Sequence, residues 1–130
     1  MGLRLLDSTV LIDYLRGRSA VARVTALRGA GEVPATTAII VDEIVRWLRE
    51  HDEPAAARLF DGLVVLPLGR DAGELAGRWR REHAARGITL FQADCLVAAA
   101  AVVLNTVLVT GNPKDFPMPV LPMEHWPVGT

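Results

Sequence analysis

Ten apolar residues run without interruption from Cys95 to Leu104. The stretch from Phe91 to Leu104 reads as a helix that is apolar on nearly every side, and such a helix lies inside a protein rather than on its surface. It is too short to cross a bilayer, which takes ~20 residues. The remaining chain must therefore surround it. With 130 residues, one domain is expected. Half the residues are hydrophobic (51%), which supplies the core such a layered structure needs.

The other segments alternate in type. Leu3–Leu6 reads as a short buried strand, and Thr9–Arg16 as a helix with Asp7, Ser8 or Thr9 as its N-cap. Ala20–Ala30 is a second helix, stopped near Gly29 and Gly31. Glu32–Ala35 is a short strand, and Thr37–Glu50 a helix. Pro54–Asp61 is again helical, with its proline in the first turn. Leu63–Leu66 is a strand with β-branched Val64 and Val65 at its centre. Asp71–Arg86 is a charged helix ending at Gly87. After the apolar helix come a strand at Thr106–Val109, a turn at Gly111-Asn112-Pro113, and an edge strand at Val120–Met123 between two prolines. Strands alternating with helices predict an α/β fold with a parallel sheet covered on both faces. Sites in open sheets of this kind lie beyond the carboxyl ends of the strands.

Composition removes several classes. A net charge of -1 leaves no general basic coat, so any nucleic-acid contact must be local. The one cysteine, Cys95, precludes an intrachain disulfide and suits a reducing cytoplasm. The N-terminus lacks the order of a signal peptide. His51, His83 and His125 show no zinc-ligand spacing. Neither a phosphate-binding glycine loop nor a Gly-x-Ser-x-Gly elbow is present. The basic stretch Arg78-Trp79-Arg80-Arg81, with Arg86, reads as a solvated helix face that could touch RNA phosphates.

The acids carry more information. Asp7 closes the first strand, where helix capping alone would explain it. Asp42 lies four residues before Arg46 and seven before Arg49, on a solvated face. Its neighbour Glu43 shares the opposite side with Ile39, Ile40 and Trp47, where an unpaired glutamate is rarely structural. Asp94 opens the apolar helix, where the dipole favours an acid. Asp115 follows Asn112-Pro113-Lys114 and by itself suits a turn. Asp13 is placed to pair with Arg16 on the surface. Burying several carboxylates together costs several kcal/mol unless a cation meets them. Asp7, Glu43 and Asp94, from distant parts of the chain, therefore point to a divalent metal and to phosphate chemistry.

Four blocks taken in order resemble the PIN-domain ribonucleases, in particular the VapC-type toxins of bacterial toxin–antitoxin pairs. They are Leu5-Leu6-Asp7-Ser8-Thr9, Thr36 through Glu43, Phe91 through Ala100, and Leu108-Val109-Thr110-Gly111-Asn112-Pro113-Lys114-Asp115-Phe116. Order and spacing agree over nearly the whole chain. By position, Asp7, Glu43 and Asp94 match the family's site acids. Asp115 is the carboxylate available for the fourth position, because Asn112 stands at the alternative one. Ser8, Thr9 and Thr110 match supporting hydroxyls, and Asn112 keeps an amide oxygen. Two departures stand out: Gly111 where the family often carries arginine, and Asp42 where it usually has a small residue.

The resemblance implies a single PIN domain over residues 1–130, with a parallel sheet flanked by helices on both faces. It implies a Mg²⁺- or Mn²⁺-dependent endoribonuclease acting on transfer or ribosomal RNA. Asp7 and Asp94 would hold the ion, Glu43 would orient or deprotonate the attacking water or bind a second ion, and Asp115 is a further candidate ligand. The expected products carry 5′-phosphate and 3′-hydroxyl ends. A VapB-type antitoxin, a homodimer with Trp47 and Leu48 as candidate interface residues, a cytoplasmic location and no membrane contact are also implied. Two other readings remain open at this point. One is an inactive PIN-fold binding module. The other is a receiver-type phosphorylation domain, although no acid directly follows Leu63–Leu66.

Overall fold

A computed structural model describes residues 2–129. Five parallel strands form one sheet in the order β3-β2-β1-β4-β5. They are β1 (Leu3–Leu6), β2 (Val33–Thr37), β3 (Val64–Leu66), β4 (Val107–Thr110) and β5 (Met123–His125). The helices are α1 (Ser8–Leu15), α2 (Ala20–Gly29), α3 (Ala38–Trp47), α4 (Glu53–Asp61), α5 (Arg70–Ala84) and α6 (Gln92–Val103). This is the α/β architecture expected from the alternation of segments. No described helix is long and apolar enough to cross a membrane.

The chain builds outward from β1 through β2 to β3. It then crosses back by α5 and α6 to place β4 on the other side of β1. The direction of winding reverses between β1 and β4, and crevices of this type host ligands in doubly wound sheets. Receiver domains use the order 2-1-3-4-5 instead, so this topology removes that alternative.

The apolar run is as central as its sequence demands. Ala98, Ala99, Ala100 and Ala101 are all fully buried, and α6 packs on α5, α3 and β4. Their small size lets the backbones approach closely. Ala99→Leu is therefore expected to overpack this seam and cost about 1–3 kcal/mol. The check is the urea midpoint, which should fall with an unchanged slope.

Several local expectations are corrected. The last strand is not Val120–Met123 but begins where that segment ends. Val120 adopts φ 57°, which no strand accommodates, and Pro122 offers only its carbonyl, which accepts from the Leu108 amide at 2.9 Å. β2 extends to Thr37, which then caps α3 by accepting from the Ile40 amide at 3.4 Å. The helix α3 ends at Trp47 rather than Glu50. Glu50, Asp52 and Glu53 follow it, and acids are unfavourable at a helix C-terminus but favourable at the start of α4.

Asp13 is not a surface partner of Arg16. It is only 2% exposed, and its Oδ2 accepts from the Ala20 amide at 2.9 Å while its Oδ1 accepts from the Gly129 amide at 2.9 Å. Burial alone would raise its pKa. The Gly129 and Ala20 amides, with Arg18 nearby, outweigh it and hold the carboxyl below its usual range. Trp47 and Trp79, two of the three tryptophans, exchange expected places. Trp79 is buried in the core face of α5, whereas Trp47 is 75% exposed beneath the Arg46 guanidinium, 5.5 Å from its ring centroid.

Candidate active site

Asp7 follows the central strand and terminates its ladder, donating its amide to Val109 O at 2.9 Å. With extended backbone it becomes the N-cap of α1. Its Oδ1 accepts from the Ser8 amide at 2.7 Å and, more weakly, from the Ser8 hydroxyl at 3.4 Å. Its Oδ2 accepts from Thr9 Oγ1 at 3.1 Å and Thr110 Oγ1 at 2.7 Å. Capping and site roles therefore coincide in one side chain. Burial raises the Asp7 pKa, and the bonds from Thr110, Ser8 and Thr9 partly offset it.

The hydroxyls are themselves oriented. Thr110 Oγ1 accepts from the Asn112 amide at 3.0 Å, and Thr9 Oγ1 accepts from the Gly111 amide at 2.9 Å. A hydroxyl has one proton to give. With a lone pair already engaged by a backbone amide, each is left to donate to Asp7.

Glu43 projects from the middle of α3, a half-buried position between exposed Asp42 and buried Ile44. Its pKa is raised to about 7, first by burial, then by Asp7, Asp94, Asp42 and Asp115 in that order. Asp94 lies in the first turn of α6. Burial, then Asp115, then Asp7 push it up to about 6. Asp115 closes a short 3₁₀ turn (Pro113–Asp115) after β4 and is exposed. Asn112 caps that turn and is also exposed. The four acids thus share one field at the carboxyl edge of the sheet. Among the described residues none of them forms a salt bridge. The raised carboxyls Asp7, Glu43 and Asp94, gathered in this way, make this edge a candidate functional site.

The donor set fits a hard divalent cation in charge and chemistry, because oxygen ligands suit Mg²⁺ and uncompensated carboxylates favour a cation among them. Among the described residues no three acid, histidine or cysteine side chains converge closely enough to cage an ion by themselves. Electrostatic coupling reaches further than direct ligation, so the two observations agree. The acids are coupled through their field without converging into a cage.

Two site contributors escaped the sequence. One is Thr37, which caps the helix carrying Glu43; the hydroxyl before an apolar helix was its signal. The other is the space at Gly111. A Cβ there would meet the two Val128 methyls at 2.7 and 2.8 Å. The bulk that closes this spot comes from the end of the chain, and no local pattern announces it.

The PIN domain family model matches residues 4–117. The chain belongs to the PIN domain family. It is 36% identical over 121 residues to Ribonuclease VapC19 of Mycobacterium tuberculosis (strain ATCC 25618 / H37Rv), spanning 89% of this chain and 94% of that protein. Ribonuclease VapC10 of the same strain is 33% identical over 119 residues, spanning 88% and 86%. Among solved structures, VapBC2 from Rickettsia felis bound to a promoter DNA fragment aligns with a TM-score of 0.83 at 20% identity, over 95% of this chain and 98% of the other. VapBC-1 from nontypeable Haemophilus influenzae aligns with a TM-score of 0.80 at 22% identity, over 95% and 98%. At such identities the structural likeness speaks for the fold.

Proposed function

We propose that this protein is a divalent-metal-dependent endoribonuclease and the toxic partner of a VapB-type antitoxin. The observation that carries this reading is the shared field of Asp7, Glu43, Asp94 and Asp115, with no positive side chain among the described residues paired to any of them. Its similarity to ribonucleases VapC19 and VapC10 supports the choice of RNA as substrate. The VapBC structures support the choice of partner.

Asp7 and Asp94 would hold Mg²⁺ or Mn²⁺, with Glu43 and Asp115 as further candidate ligands. Asp7 Oδ1 has capacity to spare, since its Ser8 hydroxyl contact is the weakest of the four. Held there, such an ion would supply an acidified water and charge to offset the scissile phosphate. Ser8, Thr9 and Thr110 fix the Asp7 carboxylate. Glu43 orients the attacking water or takes its proton, and Asn112 offers its amide at the rim. In-line attack leaves a 5′-phosphate and a 3′-hydroxyl.

The PIN domain takes up residues 1–130, with β5 and the segment after it completing the side beyond β4. Transfer or ribosomal RNA is the substrate class, and the setting is the cytoplasm. An arginine from the antitoxin would neutralise the acid cluster, and exposed Trp47 suits a contact between two copies in a homodimer.

Purified protein incubated with total RNA tests this reading. Cleavage with Mg²⁺ or Mn²⁺, absent with EDTA and leaving 5′-phosphate ends, is the expected result. Intact RNA under every condition would favour the alternative of a PIN-fold module that only binds.

A further inference from the structure

The segment that follows β5 is built into the flank of the acid site. Trp126 is buried, donates its amide to Thr110 O at 2.9 Å, and lies under the Arg23 guanidinium, 5.9 Å from the ring centroid. Three residues later, the Gly129 amide is held by buried Asp13 at 2.9 Å. Val128 is fixed between these two anchors. It stands against Gly111 so closely that a Cβ on Gly111 would lie 2.7 and 2.8 Å from its methyls and 3.3 Å from Thr9 Oγ1. Gly111 is not among the glycines with positive φ. Its lack of a side chain answers to this close approach and not to backbone conformation.

Gly111 is also the residue whose amide holds Thr9 Oγ1, at 2.9 Å, and Thr9 Oγ1 in turn donates to Asp7 Oδ2 at 3.1 Å. Valine is stiff about χ1 and cannot swing aside cheaply. Gly111 thus lies between the Val128 methyls and Thr9.

We propose that Trp126–Gly129 is a strap that positions Asp7: Val128 presses Gly111 toward Thr9, and Asp13 anchors the strap's far end. Val128, Gly111 and Asp13 are positioning residues that act through Thr9. Asp13, with no route to the site in sequence, acquires one. The same loop holds the second hydroxyl, since the Asn112 amide engages Thr110 Oγ1. Displacement of Gly111 disturbs both bonds to Oδ2.

This inference rests on Asp7 being a metal-holding acid. Its test is a size exchange: Gly111→Ala, Val128→Ala and the double variant. Three quantities are measured well below each variant's melting temperature: Mn²⁺ affinity without RNA, by electron paramagnetic resonance, and kcat and KM for RNA cleavage. Gly111→Ala is expected to weaken Mn²⁺ binding about tenfold. It should lower kcat about ten- to hundredfold, as small misplacements of a reacting group do, with KM for RNA little changed. The double variant should recover most of both losses, because Val128→Ala removes the methyls that clash. Gly111→Ala with wild-type Mn²⁺ affinity and kcat would overturn the strap. So would a double variant no better than Gly111→Ala. Wild-type protein that neither binds Mn²⁺ nor cuts RNA would instead overturn the site reading beneath it.

Discussion

Asp94→Asn is expected to lose metal-dependent RNA cleavage by at least about 10²–10³-fold, the scale on which removal of a group stabilising transition-state charge acts. The same variant should unfold at a higher temperature than wild type when both are held in EDTA at pH 8. Asparagine keeps the shape and a ligand oxygen but removes a charge that burial, Asp115 and Asp7 all oppose. The first turn of α6 favours an acid through its dipole by about 0.3–1 kcal/mol, and the raised pKa says that opposition is stronger. Activity and stability should move in opposite directions, the usual sign of a site kept at a cost to the fold. Melting curves and cleavage rates on one preparation decide the matter. A variant that cuts RNA at the wild-type rate removes Asp94 from the site.

The second large effect is a pH dependence that a divalent cation reverses. Glu43 and Asp94 both titrate above their unfolded values, to about 7 from 4.5 and to about 6 from 3.8. Between those limits the native state binds more protons than the unfolded chain, so unfolding free energy falls as pH rises. Their contribution is fully present below about pH 4. It is lost progressively through pH 6 and 7 in metal-free protein. Both groups are partly solvated, so about 1 kcal/mol each is a fair scale after screening. The groups interact, and the observable pKa values belong to the cluster. Mg²⁺ binds the ionised form, so its stabilisation should grow over the same window. Urea titrations from pH 5 to 8 with EDTA or Mg²⁺ check this. A metal-free midpoint that rises between pH 5.5 and 7.5, or a Mg²⁺ increment independent of pH, would contradict the shared field.

Most of the architecture was legible because period and punctuation agreed. β1 ends in Asp-Ser-Thr, a strand stop and a helix cap in three residues, and the structure uses it as both. The apolar run at α6 demanded burial on all sides and received it. Topology alone places only Asp7 and Asp115 just past strands; Glu43 and Asp94 lie on α3 and α6 and drew notice through their apolar neighbours and the resemblance.

What stayed hidden depended on partners far along the chain. Asp13 looked like an ion-pair partner at helical spacing, yet its hydrogen bonds come from Ala20 and Gly129. Trp79 sat among arginines in the sequence but lies on the stripe Ala72, Ala76, Trp79, His83 that faces the core. Trp47 belongs to a helix with more apolar residues than one face can bury, and the surplus was left outside. Val120 gave no sign of its left-handed backbone. Only the fold around it selects that conformation.

The bond from Thr110 to Asp7 spans 103 positions. Ribosomes deliver residues in order, at roughly 5–20 per second. Asp7 emerges early and waits several seconds for the hydroxyl that fixes it, and longer for Val128 and Gly129. A half-made chain has neither β4 nor a crevice. A nascent chain therefore cannot fix Asp7 in its folded setting until β4 and the loop after it have been made.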